Sequence, residues 1–411
     1  MPEKGLGYLK RKLSMKRARV LLRYRFYDMK NTVPMMKGII PDELKWVTST
    51  LGWCAKSVDA LANRIVFDGF DNDDFMLGSI FSQNNPDILP DDAVLSSLIG
   101  SCSFIYIGRD ASGYPTLQVI DGSNATGEID RVTNMLTEAY AVLERDENDK
   151  PILEAYFRPY RTDYYPNGAL APQYSFEHSA PYALLVPIIY KPDAKRPFGH
   201  SRISRCCMNT VEAAIRTIKR SEVSSEFYSF PQRYVLGLSN DADSIEGDKK
   251  IKAVMSAFLD FRKDEDNDKP SVGQFPQQSM APFFEQLRMM ASIFAGETDL
   301  TLDDLGFSTG NPASFDAIRA SHEALRLTAR KGQRTFGTGF LNAGYLAACV
   351  RDNYSYKRSA FVNTKPIWQP IFEPDAAALG AVGDAIYKIN QAVPEYIGEK
   401  AIHALTGLES E

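Results

Sequence analysis

The sequence predicts an α+β protein, mainly helical, with an antiparallel β meander set between helical segments. Three observations carry this. Val47, Leu51, Cys54, Val58, Leu61 and Ile65 recur at alternating spacings of four and three, the apolar stripe of a helix over 42–66. Between 103 and 190 the period shortens to brief runs rich in β-branched and aromatic residues: SFIYIG (103–108), YPTLQVI (114–120), EAYAVLER (138–145), ILEAYFRP (152–159) and ALLVPIIY (183–190). Helical spacing then returns in two long patterns, 203–228 and roughly 312–350.

The elements follow in order. Residues 1–30 hold ten Lys and Arg against Glu3 and Asp28, a net of +8. The segment reads either as a solvated helical arm or as a contact arm to acidic partners or DNA. Pro41 suits the first turn of the 42–66 helix, and a shorter helix is expected over 91–100. The strand runs are separated by turn signals at SG (112–113), DGSN (121–124), DEND (146–149) and PNG (166–168). In 203–228, Cys207, Val211, Ile215 and Ile218 form a stripe, ended by Pro231. RYVLGL (233–238) is a strand, followed by a polar loop, a short helix near 249–262, the solvated turn DEDNDKP (264–270) and a helix over 283–295. ETDLTLDDLGFSTGN (297–311) is an acidic loop, after which Asn311 and Pro312 open the long helix as N-cap and first-turn residues. Gly337 and Gly339 are expected to bend that helix. A Pro-rich strip, 366–374, with Trp368 leads to two short helices over 375–391 and 395–406.

Bulk properties narrow the class. A chain of 411 residues, 44% hydrophobic, can bury roughly two to four compact units. A charged fraction of 24% argues against disorder. No run approaches the length of a membrane span, and the N-terminus lacks the apolar stretch of a signal peptide. The five cysteines (Cys54, Cys102, Cys206, Cys207, Cys349) form no CxxC pair and read as reduced thiols.

Catalytic signatures are missing from the sequence. There is no GxxxxGK[ST], GxGxxG, GxSxG or HExxH. His178, His200, His322 and His403 stand at no metal-ligand spacing and read as surface or packed residues. Asp264, Glu265, Asp266 and Asp268 alternate like a calcium loop, yet Lys269 occupies the position that needs glycine. Glu297, Asp299, Asp303 and Asp304 share one short loop rather than the rigid elements a two-metal site requires. No cofactor, metal or catalytic residue is expected.

Four colinear segments resemble the portal proteins of tailed bacteriophages and prophages. One is LSSLIGSCSFIYIG (95–108) with VPIIYKPDAKRPFGHSRISR (186–205), similar to a helix-to-strand junction and a Phe-Gly-x-Ser-Arg-Ile turn. The others are the helix 203–228 running into PQRYVLGL (231–238), LGFSTGNPASFDAIRASHEALRLTARKGQRTFGTGF (305–340), and WQPIFEPDAAALGAVGDAIYKINQAVPEY (368–396).

The resemblance implies an architecture of wing, stem, clip and crown. Residues 1–202 and 297–365 would form the wing, 203–229 and 283–296 the two stem helices, 230–282 the clip and 366–411 the crown. It implies a ring, usually of twelve subunits, at one capsid vertex of the virion, assembled in the bacterial cytoplasm. The ring would pass double-stranded DNA and meet a large terminase, scaffolding and major capsid proteins, and a head-completion adaptor, without contacting a membrane. The expected tunnel loop is Gly306, Phe307, Ser308, Thr309, Gly310 and Asn311. The expected channel charges are Arg216, Lys219, Arg220, Asp303 and Asp304, although the three basic residues equally suit salt bridges between subunits. A net charge of −5 fits a conduit that must not grip phosphate. Two other readings stand beside this one: a different head or neck structural protein, and a metal-dependent nuclease or nucleotidyltransferase using the acidic loops.

Overall fold

The computed structural model describes residues 3–33, 48–229, 233–236, 271–274, 279–307, 315–372, 376–394, 396–398 and 401–402. The chain divides into two compact units, one of 1–31, 52–208 and 295–411, the other of 32–51 and 209–294.

In the first unit, helix α1 (Leu6–Tyr27) opens the chain. It is no solvated arm. Leu9 and Leu13 are buried against Tyr140, Val142 and Tyr156. Some of its cations, with Lys4 just before it, pair with acids of the sheet region beneath: Lys4 and Lys12 with Glu128, Lys10 with Glu154 at 2.7 Å, Arg17 with Asp149 at 2.5 Å. The buried Glu138 accepts the backbone N–H groups of Lys4 at 2.7 Å and Gly5 at 3.1 Å, placing a carboxylate at the positive end of the helix. Burial pushes the Glu128 carboxyl up, but hydrogen bonds from Lys12 and Lys4 outweigh it and hold it below the ordinary value. Part of the positive charge at the N-terminus thus matches acids that lie more than a hundred residues away.

Helix α2 (Trp53–Ala62) is shorter than the stripe suggests. Residues 42–47 lie outside the described set, and 48–52 are not helical. Thr48 and Thr50 are β-branched and Gly52 stands at the N-cap, all poor helix-interior residues. Strand β1 (Phe67–Asp71) and helix α3 (Leu77–Ser82) carry no strong periodic signal and escape the sequence reading. Asp73 caps α3 by accepting the Leu77 and Gly78 amides, both at 2.7 Å. Helix α4 (Leu89–Gly100) matches expectation.

The β region forms two sheets. In one, β2 (Cys102–Arg109) lies between β3 (Pro115–Asp121) and β9 (Leu185–Ile189), antiparallel to both. In the other, β4 (Ala125–Ile129), β5 (Leu136–Arg145), β6 (Pro151–Arg158), β7 (Arg161–Pro166) and β8 (Phe176–Glu177) run as a true meander. The run 183–190 leaves that meander and returns to β2. Ser97 and Ser103 explain the junction after α4: Ser97 donates to the Ile188 carbonyl at 2.7 Å and Ser103 to that of Ala93 at 2.7 Å, which ties α4 to β2 and β9.

The expected helix over 312–350 breaks in two, α7 (Phe315–Ser321) and α8 (Glu323–Arg351), with His322 between them. Gly337 and Gly339 do not interrupt α8; they let neighbours approach. A Cβ on Gly337 would meet Pro366 Cγ at 2.6 Å, and one on Gly339 would meet Ile188 Cδ1 at 2.6 Å. Strand β12 (Lys365–Trp368) pairs antiparallel with β1. Phe67, Phe340 and Trp368 form an aromatic knot beneath that pair, with centroids 4.9–5.9 Å apart. Helix α9 (Ala376–Ala392) follows.

The second unit holds most of two helices, α5 (Arg205–Ser229) and α6 (Ala281–Thr298), with β10 (Arg233–Leu236) paired antiparallel to β11 (Ser271–Gln274). Among the described residues, Val211, Ala214, Ile215, Val223, Met290, Ala291 and Phe294 are its buried apolar residues at the helices, and Thr217 reaches Met290 Sδ at 3.9 Å. The helix expected near 249–262, the turn 264–270 and most of 395–406 lie outside the described residues.

Candidate functional site: the clamped strap at 295–307

The site is assembled from a turn, 196–203, and a strap, 295–307, both in the first unit. Gly199 sits at φ +72°, and a Cβ there would lie 2.0 Å from the Tyr190 carbonyl oxygen. Glycine is therefore required twice, for the left-handed backbone and for the close approach. The His200 amide then donates to that same carbonyl at 3.0 Å. Ser201 Oγ donates to the Ile99 carbonyl at 2.7 Å, and Ile203 is fully buried. His200 also contacts Asp193 at 2.6 Å, and this bond holds the Asp193 carboxyl at about 2.

This turn delivers Arg202 into the interior. Its side chain is 5% exposed. The guanidinium donates to the Thr298 carbonyl, to the Ser57 carbonyl at 3.4 Å and to Asp299 Oδ2 at 3.4 Å. Asp299, in left-handed conformation at φ +54°, also accepts from Thr328 Oγ1 of α8 at 2.9 Å. A single buried cation thus joins α2, the end of α6 and the strap, and Asp299 extends the link to α8.

The strap is pinned a second time. Asp304 Oδ2 accepts the Thr301 amide and hydroxyl, both at 2.9 Å, and contacts His322 Nε2 at 3.1 Å. His322 Nδ1 faces the Ile318 carbonyl at 2.9 Å. Burial pushes the Asp304 carboxyl up, yet the Thr301 and His322 contacts prevail and hold it below the ordinary carboxylate range. Leu305 is buried, and the Gly306 and Phe307 amides close the turn on Asp303 O and Leu302 O, each at 3.0 Å. Phe307 rests edge-on against Trp53 with centroids 6.4 Å apart.

The expected tunnel-loop residues therefore divide. Gly306, at φ +89° with open space where a Cβ would be, and Phe307 form the loop's foot; Ser308, Thr309, Gly310 and Asn311 lie outside the described residues. Asp304 is engaged inside the strap, while the neighbouring Asp303 is exposed. Arg216 pairs with Glu212 at 3.8 Å on α5, where Lys219 and Arg220 are half-buried. Sequence reasoning passed over Arg202, Asp299 and Trp53 as site residues. The FGHSRI turn was the signal for Arg202; nothing local marked Trp53. Among the described residues, no three His, Cys, Asp or Glu side chains group as a metal site.

No family model matches the chain. The portal protein of Mycobacterium phage L5 is 22% identical to it over 386 residues, 90% of this chain and 78% of the relative. The chain is thus similar to a phage portal protein over nine-tenths of its length. The portal protein of Mycobacterium phage D29 gives 21% identity over 386 residues, 90% of this chain and 79% of the relative. The fold also has a solved counterpart. A chain of the virion of a native gene transfer agent particle aligns over 95% of this chain and 94% of its own length, with a TM-score of 0.52 and 11% identity.

Proposed function

We propose that this protein acts as a portal subunit, identical copies closing into a ring at one capsid vertex through which DNA is packaged and ejected. Colinear similarity to two portal proteins over nine-tenths of the chain carries the reading. The wing is then 1–202 and 297–365, the stem 203–229 and 283–296, the clip 230–282 and the crown 366–411, with residues 366–368 of the crown built into β12. The clamped strap at 299–307 gives the expected tunnel loop, 306–311, a fixed base facing passing DNA. Twelve copies would carry a charge of about −60, which disfavours tight phosphate binding in the bore. Double-stranded DNA, terminase, scaffolding and capsid proteins and a head-completion adaptor are the partners, and the role is structural rather than enzymatic.

The test is direct imaging. Purified protein examined by negative-stain electron microscopy should show rings with a central hole. A monomer that cleaves DNA in the presence of a divalent metal would refute the reading in favour of a nucleic-acid enzyme.

A further inference from the structure

Helix α1 is basic on two flanks, and only one of them is neutralised within the chain. Lys10 and Arg17 face the meander and find acids there. On the other flank Lys12, Lys16, Arg19 and Arg23 follow at spacings of four, three and four, one continuous row. Only Lys12 in that row has a carboxylate partner among the described residues. Lys16 lies over the Phe198 ring at 4.7 Å, and Arg23 reaches the Gly100 carbonyl at 3.5 Å. Burial lowers the pKa of Lys16, helped by Lys12 and Arg19; burial lowers that of Arg23, helped by Arg19 and Arg196. Arg196 is exposed; its guanidinium contacts His200 at 3.3 Å and its backbone N–H donates to Asp193 Oδ1 at 2.6 Å. Among the described residues Lys16, Arg19 and Arg23 form no ion pair, and Glu128, the carboxylate that favours the charged form of Lys16, is already held by Lys12 and Lys4.

Beside this row runs an apolar one. Tyr8, Met15 and Leu22 recur every seven residues on α1 and are 41%, 62% and 42% exposed. A duplex backbone offers nothing to such a row, whereas a protein surface does. The same unit carries a complementary patch. Asp87, Asp91 and Asp92 at the start of α4 are exposed, lack a cationic partner among the described residues, and surround Ile88, which is 61% exposed. Burial raises the Asp91 pKa, with Asp92 and Asp87 adding to it. The two patches cannot satisfy each other within one chain, because Arg23 meets the far end of α4 at Gly100, on the order of 13 Å along the axis from Asp91.

We propose that the outward face of α1, with Lys16, Arg19, Arg23 and Arg196 flanking Tyr8, Met15 and Leu22, docks the Asp87–Ile88–Asp91–Asp92 patch of a second copy of this chain. Two different complementary faces are what a closed head-to-tail ring requires. The inference rests on the ring reading above and assigns it a contact.

The test measures assembled mass by mass photometry for the full chain, with circular dichroism as a check on folding. The variants are R19E/R196E, M15E/L22E, D87K/D91K and the combination R19E/R196E/D87K/D91K. The wild type should assemble, each of the first three variants should fall to monomer, and the combination should recover the ring. A wild-type chain that stays monomeric overturns the ring reading and this contact with it. Rings in the wild type and in R19E/R196E alike overturn this contact alone. Failure of the combination to recover assembly removes α4 as the occupant. Normal rings that only lose DNA retention would show that the row serves nucleic acid and overturn the proposal.

Discussion

Replacing Gly199 by alanine tests whether the FGHSRI turn holds the site together. The new Cβ would sit 2.0 Å from the Tyr190 carbonyl oxygen, against an ordinary carbon–oxygen contact of about 3.3 Å. More than 1 Å of relief is needed, and Tyr190 cannot give it freely: it is buried, and its carbonyl accepts the His200 amide. Overpacking of this kind costs about 1–3 kcal/mol. A left-handed backbone adds about 1–2 kcal/mol for a residue with a side chain. The expected loss is therefore about 2–5 kcal/mol. Gly306→Ala supplies the control, since φ is +89° there but no atom lies within 4 Å of the Cβ position. It should show only the backbone cost, about 1–2 kcal/mol. Urea denaturation, read as a shift in midpoint at unchanged slope, measures both. Equal destabilisation by the two substitutions would refute the reasoning, because the steric contribution would then be absent.

Three further predictions follow from the clamp and the core. Arg202→Met should leave the Thr298 carbonyl and Asp299 without their cation, costing about 2–3 kcal/mol, and should speed hydrogen exchange at 299–307 while the α8 amides stay protected. Asp304 has its folded pKa depressed, so its stabilisation is present above the unfolded value near 4 and is lost as pH falls further. Asp304→Asn should therefore speed exchange of the Gly306 and Phe307 amides at pH 7, and the wild type should approach the variant only in acid. Burial lowers the His178 pKa to about 4, so the unfolded chain binds the extra proton between about 4 and 6.5. Stability should fall across that window on acidification by about 3 kcal/mol more in the wild type than in His178→Gln, measured by denaturation at pH 7 and pH 4.

Elements with a long period or dense β-branching were legible. The stripe in 203–228 became α5, and the runs of 103–190 became strands close to their expected bounds. Strands β4 and β7 were missed because ATGEI and RTDYYP alternate weakly and draw their pairing from neighbours. The sign of the N-terminal charge was plain, but its use was not. Lys10 and Glu154 are 144 residues apart, and no local pattern joins them. The same holds for the site. Gly306 announced a turn and Asp304 an acidic strip, yet the meaning of Asp304 depends on Thr301 and on His322 across a helix break. Gly337 and Gly339 carried a genuine signal, misread as bending, because close approach to Pro366 and Ile188 is a tertiary fact.

The seating of α1 has a consequence for the nascent chain. Its cations leave the ribosome long before their counter-charges, with 144 residues between Lys10 and Glu154. At synthesis rates of roughly 5–20 residues per second, the delay is about 7–29 s. Throughout that interval Leu9 and Leu13 lack the surface of Tyr140, Val142 and Tyr156 that buries them. Docking of α1 therefore cannot precede the synthesis of β6, however early the helix itself forms.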